Sequence, residues 1–408
     1  MRFARRGTAA VLAAAAIFSA SSASASGRTA ASPDFYTPPA PLPPSENGDV
    51  IRNEPADFFL DPAKLTRAPA DVQRIMYRST DANDRPVAVT GTVLTPHVPW
   101  KGEGPRPVIG FATGTQGLGD QCAPSRQMAA GSEYEGMFIS GLLLRGYGVV
   151  VTDYEGLGTP GLHTYAVRAA QGHAVLDAVR AAQRLPEADL ADDGPVAVGG
   201  YSQGGGASAA AAEMQPEYAP ELDLRGAYSG APPAELGAVG EFLDGSHAVA
   251  FLGYAAVAMN EAYPELGVPD LLNDEGKRKL AEFSEECTVE SIAKHAFTRT
   301  ETLTKDGRPI TAYLSEEPFA SKIAEQRIGL TPPGAPVFVS HTTLDDIVPF
   351  EQGRQMARDW CDRGATVQFD TLVIPTHVGA APEAAARAFG WLEGRFAGDP
   401  APDNCGSF

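Results

Sequence analysis

Short apolar runs alternate with stretches of helical period along most of this chain. Residues 87–94, 107–111, 147–152, 196–200, 224–228, 337–340 and 367–373 have the length and composition of strands. Between them, 165–184, 204–213, 351–363 and 381–396 repeat apolar positions at the spacing of a helix face. Strands alternating with helices predict an α/β fold with a mostly parallel central sheet covered on both faces. The rhythm breaks between about 232 and 333. There the patterns are helical, at 235–260 and 274–286, with one weak strand at 309–314. This stretch is assigned to a helical cap, residues 233–332, inserted after the sixth sheet strand between two parts of the core, 57–232 and 333–408. The nearly unbroken apolar segment 247–259 suits a buried cap helix and the wall of an apolar substrate tunnel equally.

Composition changes the picture at the N-terminus. Arg2, Arg5 and Arg6 precede an apolar run at 8–20 and an A-x-A site, Ala23-Ser24-Ala25, which reads as a cleaved secretory signal over 1–25. No stretch of about 20 apolar residues suits a bilayer span, so a secreted, extracellular protein without an integral membrane span is expected. Residues 26–56 carry seven prolines and read as an extended arm lying on the surface, not in a core. Roughly 380 residues remain after cleavage, more than the about 250–300 at which a single core stops growing, which fits a second lobe. The net charge of −19 repels nucleic acid and anionic membranes and leaves neutral, apolar or cationic substrates open. Four cysteines, Cys122, Cys287, Cys361 and Cys405, are an even set in an exported chain; they allow three pairings, and none forms a C-x-x-C motif.

The chemistry centres on Gly200-Tyr201-Ser202-Gln203-Gly204. A chain with 43 glycines produces G-x-S-x-G by chance, but here an apolar strand precedes the motif and a small-residue helix follows it. That is the nucleophile elbow of an α/β-hydrolase, in which a serine in a strained backbone conformation excludes bulk two residues to either side. A serine hydroxyl needs an imidazole to remove its proton and a carboxylate to orient the imidazole, in the order Ser, Asp or Glu, His. Of seven histidines, His97, His163 and His173 precede the serine, and His247 and His295 fall in the cap. His377 alone lies downstream of an acid on a strand-end loop, so Ser202, Asp345 and His377 are the expected triad. Asp346 competes with Asp345, and either could instead cap the helix starting near 350. His341 is expected to be a satisfied, half-buried histidine near the site.

Two donors must face the oxyanion: the backbone N–H of Gln203, and one from the glycine-rich loop after Ala112, for which Thr115 or Gln116 is the candidate. No metal is indicated, since the acid pairs Asp192-Asp193 and Glu285-Glu286 read as solvated faces. No glycine-rich nucleotide motif follows a strand, and no cofactor is expected.

Beyond these motifs, the chain resembles the secretory lipase family. The marks are Phe35-Tyr36-Thr37-Pro38-Pro39, Gly114-Thr115-Gln116-Gly117 leading to Cys122-Ala123-Pro124-Ser125, Asp153-Tyr154-Glu155-Gly156-Leu157-Gly158, the elbow, Leu344-Asp345-Asp346-Ile347-Val348-Pro349 and His377. The resemblance implies that the acid stands four positions before the proline of a D-x-x-V-P pattern, which favours Asp345. It implies disulfides between Cys122 and Cys287 and between Cys361 and Cys405. It also implies hydrolysis of fatty-acyl or other small carboxylic esters, without a cofactor, in transient contact with a lipid interface and under a cap that shields an acyl tunnel. A secreted serine peptidase of aminopeptidase type on the same fold is the alternative; the apolar 247–259 segment suits a lipid tail better than a peptide backbone.

Overall fold

The computed structural model describes residues 34–408; the leader expected over 1–25 lies outside them. Nine strands form one sheet: β1 Val50–Pro55, β2 Ala70–Thr80, β3 Pro86–Pro96, β4 Val108–Ala112, β5 Gly148–Thr152, β6 Val196–Tyr201, β7 Leu224–Gly230, β8 Val337–Thr342 and β9 Val367–Leu372. Their spatial order is β1-β2-β3-β5-β4-β6-β7-β8-β9. β5, β4 and β6 to β9 run parallel, whereas β1, β2 and β3 join them as an antiparallel ribbon.

The described residues form twelve α-helices, of which α5 to α10 belong to the cap: α1 Pro124–Ala130, α2 Gly136–Leu144, α3 Arg168–Arg184, α4 Gln203–Tyr218, α5 Leu236–Leu243, α6 Ala250–Ala262, α7 Val268–Leu271, α8 Asp274–Phe283, α9 Thr288–His295, α10 Phe319–Glu325, α11 Phe350–Cys361 and α12 His377–Phe396. Successive strand side chains point to opposite faces, and each face has its own core. Val150, Val196, Val198, Val337 and Val339 pack against α3, α4 and α11; Val149, Val151, Ala197 and Phe338 pack against α1, α2 and α12. A third cluster holds the cap together around Phe251, Tyr254 and Phe283 and reaches Leu118, Tyr165 and Ile347.

Several sequence expectations change here. β1 lies within the proline-rich arm and pairs with β2, because the prolines stop at Pro44 and leave 45–54 free to donate to a ladder. Tyr36 of the same arm is buried, its hydroxyl 2.8 Å from Ser125 Oγ, so the arm is anchored and not merely laid on the surface. The insertion, expected after the sixth strand, leaves the sheet after β7: the five strands read ahead of it become seven once β1 and β2 are counted. The helix expected at 235–260 breaks into α5 and α6 at Gly245, which has φ 75°. The weak strand at 309–314 is a 3-10 turn, Ile310–Tyr313. Finally, α12 starts at His377 and not at 381, with Pro382 inside it.

Candidate active site

β6 ends at Tyr201, and Ser202 takes φ 61° and ψ −120°, a conformation that costs a non-glycine residue about 1–3 kcal/mol unless its surroundings enforce it. They do. Ser202 N–H donates to Gly230 O at 2.8 Å, tying the elbow to β7. A Cβ at Gly200 or Gly204 would lie 2.1 or 1.9 Å from Ala112 O, and one at Gly205 would lie 2.1 Å from Gly230 O. The turn is therefore clamped between the ends of β4 and β7, and three glycines let it close.

His377 opens α12, and its Nδ1 lies 2.7 Å from Asp345 Oδ2. The neighbour of the serine holds it in place: Tyr201 Oη donates to His377 O at 2.8 Å, with the two rings 5.0 Å apart. Because Asp345 fixes the proton on Nδ1, Nε2 is left as an acceptor, and it is buried without a partner. Asp345 is buried as well. Its Oδ1 accepts the N–H groups of Ile347 and Val348 at 2.9 and 2.8 Å, and its Oδ2 also lies 3.2 Å from His341 Nε2. Burial pushes this carboxyl up, but hydrogen bonds from His341 and His377, then their charge, outweigh it and hold the group well below the usual carboxylate range.

Two residues behave differently from expectation. His341 is fully buried, not half-buried: its Nε2 faces both Asp345 and Val348 O (3.0 Å), and its Nδ1 has no partner. Asp346 caps no helix at 350. Its Oδ1 accepts the backbone N–H of His377 at 2.8 Å, fixing the start of α12, while Asp345 carries the imidazole.

Gln203 is the first residue of α4, so its backbone N–H has no partner within the helix. Its side-chain Nε2 lies 3.0 Å from His163 Nε2, and His163 Nδ1 lies 3.0 Å from Glu155 O. Burial lowers the His163 pKa to about 4 and keeps the ring neutral. On the loop after β4, Thr115 Oγ1 lies 3.2 Å from Tyr165 Oη, and the carbonyls of Thr115 and Gln116 accept bonds from Thr288 at the base of the cap. The Gln116 side chain is engaged by Glu133 and Gln127. Thr113 follows Ala112 past the elbow, its backbone carbon 3.0 Å from where a Cβ on Gly204 would sit, and its Oγ1 is buried without a partner. Sequence reasoning missed Thr113, His163 and Glu133; none carries a local motif, since each is defined by what a distant segment brings to it.

Both disulfides implied by the resemblance are formed, Cys122 with Cys287 and Cys361 with Cys405. Asp192 and Asp193 are solvated, but Glu286 is not: it is buried and bonds Ser291, Lys294 and His295. Ligand atoms of Glu282, Glu286 and His295 lie within 4.8 Å of one another, yet Lys294 Nζ already sits 2.6 Å from Glu286 and 3.3 Å from Glu282, making this an internal ion-pair network. In the cap, α6 is a buried helix, and its Leu252, Gly253 and Ala256 line an apolar cleft with Leu280, Phe283 and Ile310. Among the described residues no helix is long and apolar enough to cross a membrane.

A parallel sheet, a strained serine at a strand-to-helix turn and an Asp-paired histidine define an α/β-hydrolase. Within that class the chain belongs to the secretory lipase family, whose profile matches residues 123–404. It is 30% identical to a probable inactive lipase of Mycobacterium tuberculosis, over 91% of this chain and 83% of that protein. It is 29% identical to Lipase 6 of Candida albicans, over 91% and 82% of the two chains. Among solved structures, Candida antarctica lipase A in its closed state superposes with a TM-score of 0.80 at 25% identity, covering 91% of this chain and 87% of that one.

Proposed function

We propose that this lipase-type carboxylic ester hydrolase works through an acyl-enzyme on Ser202. His377 Nε2 takes the Ser202 proton as the hydroxyl oxygen attacks the ester carbonyl, and Asp345 stabilises the imidazolium that forms. The developing oxyanion meets the N–H of Gln203, at the positive end of α4, and a second donor on the loop after β4; each such donor contributes about 3–4 kcal/mol. Thr113 joins Thr115 and Gln116 as a candidate second donor, because its hydroxyl is buried without a partner on the loop that passes the elbow. Collapse returns the proton from His377 to the leaving alcohol, and water then releases the acid by the reverse sequence.

The observation that carries this reading is the His377 ring: bonded through Nδ1 to Asp345, with Nε2 buried and free to accept, and packed 5.0 Å from the ring of Tyr201, the residue before the strained serine. Membership of the secretory lipase family favours a fatty-acyl group, of a triacylglycerol or a smaller ester. Exposed Leu344 and Val378, neighbours of Asp345 and His377, with Val289 on the cap, offer transient contact with a lipid interface. Family membership and two disulfides support an extracellular site of action, reached through the leader at 1–25.

A fluorophosphonate probe tests the mechanism. Labelling of Ser202 that disappears in Ser202→Ala, together with hydrolysis of p-nitrophenyl esters and emulsified triglyceride, is expected. Absence of labelling, or a preference for a peptide anilide, would overturn it.

A further inference from the structure

Two imidazoles converge on one carboxylate oxygen. Asp345 Oδ2 lies 2.7 Å from His377 Nδ1 and 3.2 Å from Nε2 of His341, a β8 residue whose side chain is fully buried. Asp345 Oδ1 accepts the N–H groups of Ile347 and Val348, so each oxygen faces two N–H donors, about the full capacity of a carboxylate. The tautomer of His341 follows from its neighbours. Its Nε2 faces two acceptors, Asp345 Oδ2 and Val348 O at 3.0 Å, so it carries the proton and shares it between them; Nδ1 is buried without a partner and carries none. Helix α11 backs the ring. A Cβ on Gly353 would lie 2.6 Å from His341 Nδ1, and the Phe350 ring stands edge-on at 5.7 Å, so the imidazole is pressed towards Asp345. Val348 closes the circuit: its carbonyl accepts from His341 while its N–H reaches Asp345.

Resting on the acyl-enzyme reading above, we propose that His341 is a positioning residue for the triad, whose N–H takes a share of the oxygen that holds His377. It does not touch substrate and acts only through Asp345. The share has two effects. It fixes the plane of the Asp345 carboxylate, and with it the Nδ1–H bond that aims His377 at Ser202. It also spreads the carboxylate charge over two rings, which limits the pull on the imidazolium and keeps His377 a free base further into acid. The sign follows. Without the second donor, Asp345 concentrates its charge on His377, the protonated ring is favoured, and the free base appears only at higher pH. The other ionisable groups around the cluster are Asp346, whose Oδ1 accepts the His377 N–H; Tyr201, whose Oη donates to His377 O; and His247 ahead of α6, whose Nε2 lies 3.7 Å from Asp346 Oδ2. Burial pushes the Tyr201 hydroxyl up, so it stays neutral. None of these reaches Asp345 Oδ2 in place of His341.

The experiment compares kcat/KM at pH 5 and pH 8 on a soluble short-chain ester for the wild type, His341→Leu, His341→Asn and His341→Gln, with circular dichroism at both pH values. Glutamine extends an amide N–H to about the place of Nε2, leucine has no donor, and the asparagine amide stops short of Asp345. In His341→Leu the acid limb should rise by about one pH unit, so the ratio of kcat/KM at pH 5 to that at pH 8 should fall about tenfold below the wild-type ratio. His341→Asn should do the same, and it decides the matter if the leucine variant does not fold. Glutamine should bring the ratio back to within about twofold of the wild type. A purely structural role lowers both rates together, so an unchanged ratio in the leucine and asparagine variants overturns the proposal, whatever the absolute rates. So does a glutamine ratio as low as theirs. His247 and Asp346 are present in every variant, so their own titration cancels in the comparison. Ser202 labelling by the fluorophosphonate at pH 8 is scored separately, which keeps a failure of the His341 proposal distinguishable from a failure of the acyl-enzyme.

Discussion

Adjacent acids do different work at this site, and a single substitution separates them. In Asp345→Asn the side chain that fixes the proton on His377 Nδ1 becomes neutral and can present a donor there, which favours the wrong tautomer. A fall in kcat of about 10³–10⁴-fold is expected. Asp346→Asn still offers an oxygen to the His377 N–H, so a loss within about tenfold is expected, mainly through a looser start to α12. Steady-state kcat on one ester measures both; equal losses would contradict the assignment. The folded Asp345 carboxyl lies below its ordinary value, so its contribution to stability is present above about pH 4 and is lost as the pH falls through the folded value. The strained turn at Ser202 and the pairing of His377 with Asp345 were legible in the sequence because elbow sterics and chain order constrain them. His341 was not: its contact with Asp345 depends on the loop 343–348 folding back over the end of β8, which no local pattern encodes.

At the level of elements, the central parallel strands were read well because they are apolar runs buried on both faces, as Val149, Val150 and Val151 illustrate, and β9 because its buried Val367, Phe369 and Leu372 alternate with exposed or half-exposed residues. The ribbon strands β1 and β2 escaped notice since their polar residues, among them Arg52, Asn53, Gln73 and Arg74, hide the alternation. Pro382 disguised the start of α12, whose first turn carries His377. The family motifs also acquire structural causes. Asp153 is buried and accepts Ser125 N–H and Oγ at 2.7 and 2.5 Å and Thr90 Oγ1 at 2.7 Å, which joins the Cys-Ala-Pro-Ser turn to β3 and β5. That turn also carries the cap: Cys122 bonds Cys287, while Leu118 N–H and Thr288 N–H exchange bonds with Glu286 O and Gln116 O at 3.0 Å. Because backbone bonds remain, Cys122→Ser with Cys287→Ser should lower stability by about 2–5 kcal/mol yet retain most of the activity at 25 °C. Calorimetry and ester hydrolysis on the same preparation check this. An unchanged melting temperature would mean the backbone pairing alone holds the cap base.

For the whole molecule, the exposed problem is the far edge of the sheet. β9 would present a row of free N–H and C=O groups, a template for pairing with another chain. The last residues cover it. Asn404 donates its backbone N–H to Val367 O at 3.0 Å, and its side chain closes on Phe369 through both N–H and C=O at 2.8 and 2.9 Å. Phe408 packs its ring 4.8 Å from Phe369, and its carbonyl accepts from Arg358 at 2.7 Å. The Cys361–Cys405 disulfide pins this tail to α11, so its benefit is to the edge more than to the distant Ser202. Removing residues 401–408, with Cys361→Ser to avoid a free thiol, should therefore leave kcat per folded molecule unchanged. It should lower the melting temperature by several degrees, from loss of about 2–5 kcal/mol, and raise light scattering on warming. Active-site titration with the fluorophosphonate gives the folded fraction against which kcat is scaled. If scattering and melting matched the intact chain while kcat fell, the tail would be acting on the catalytic site and not on the edge of β9.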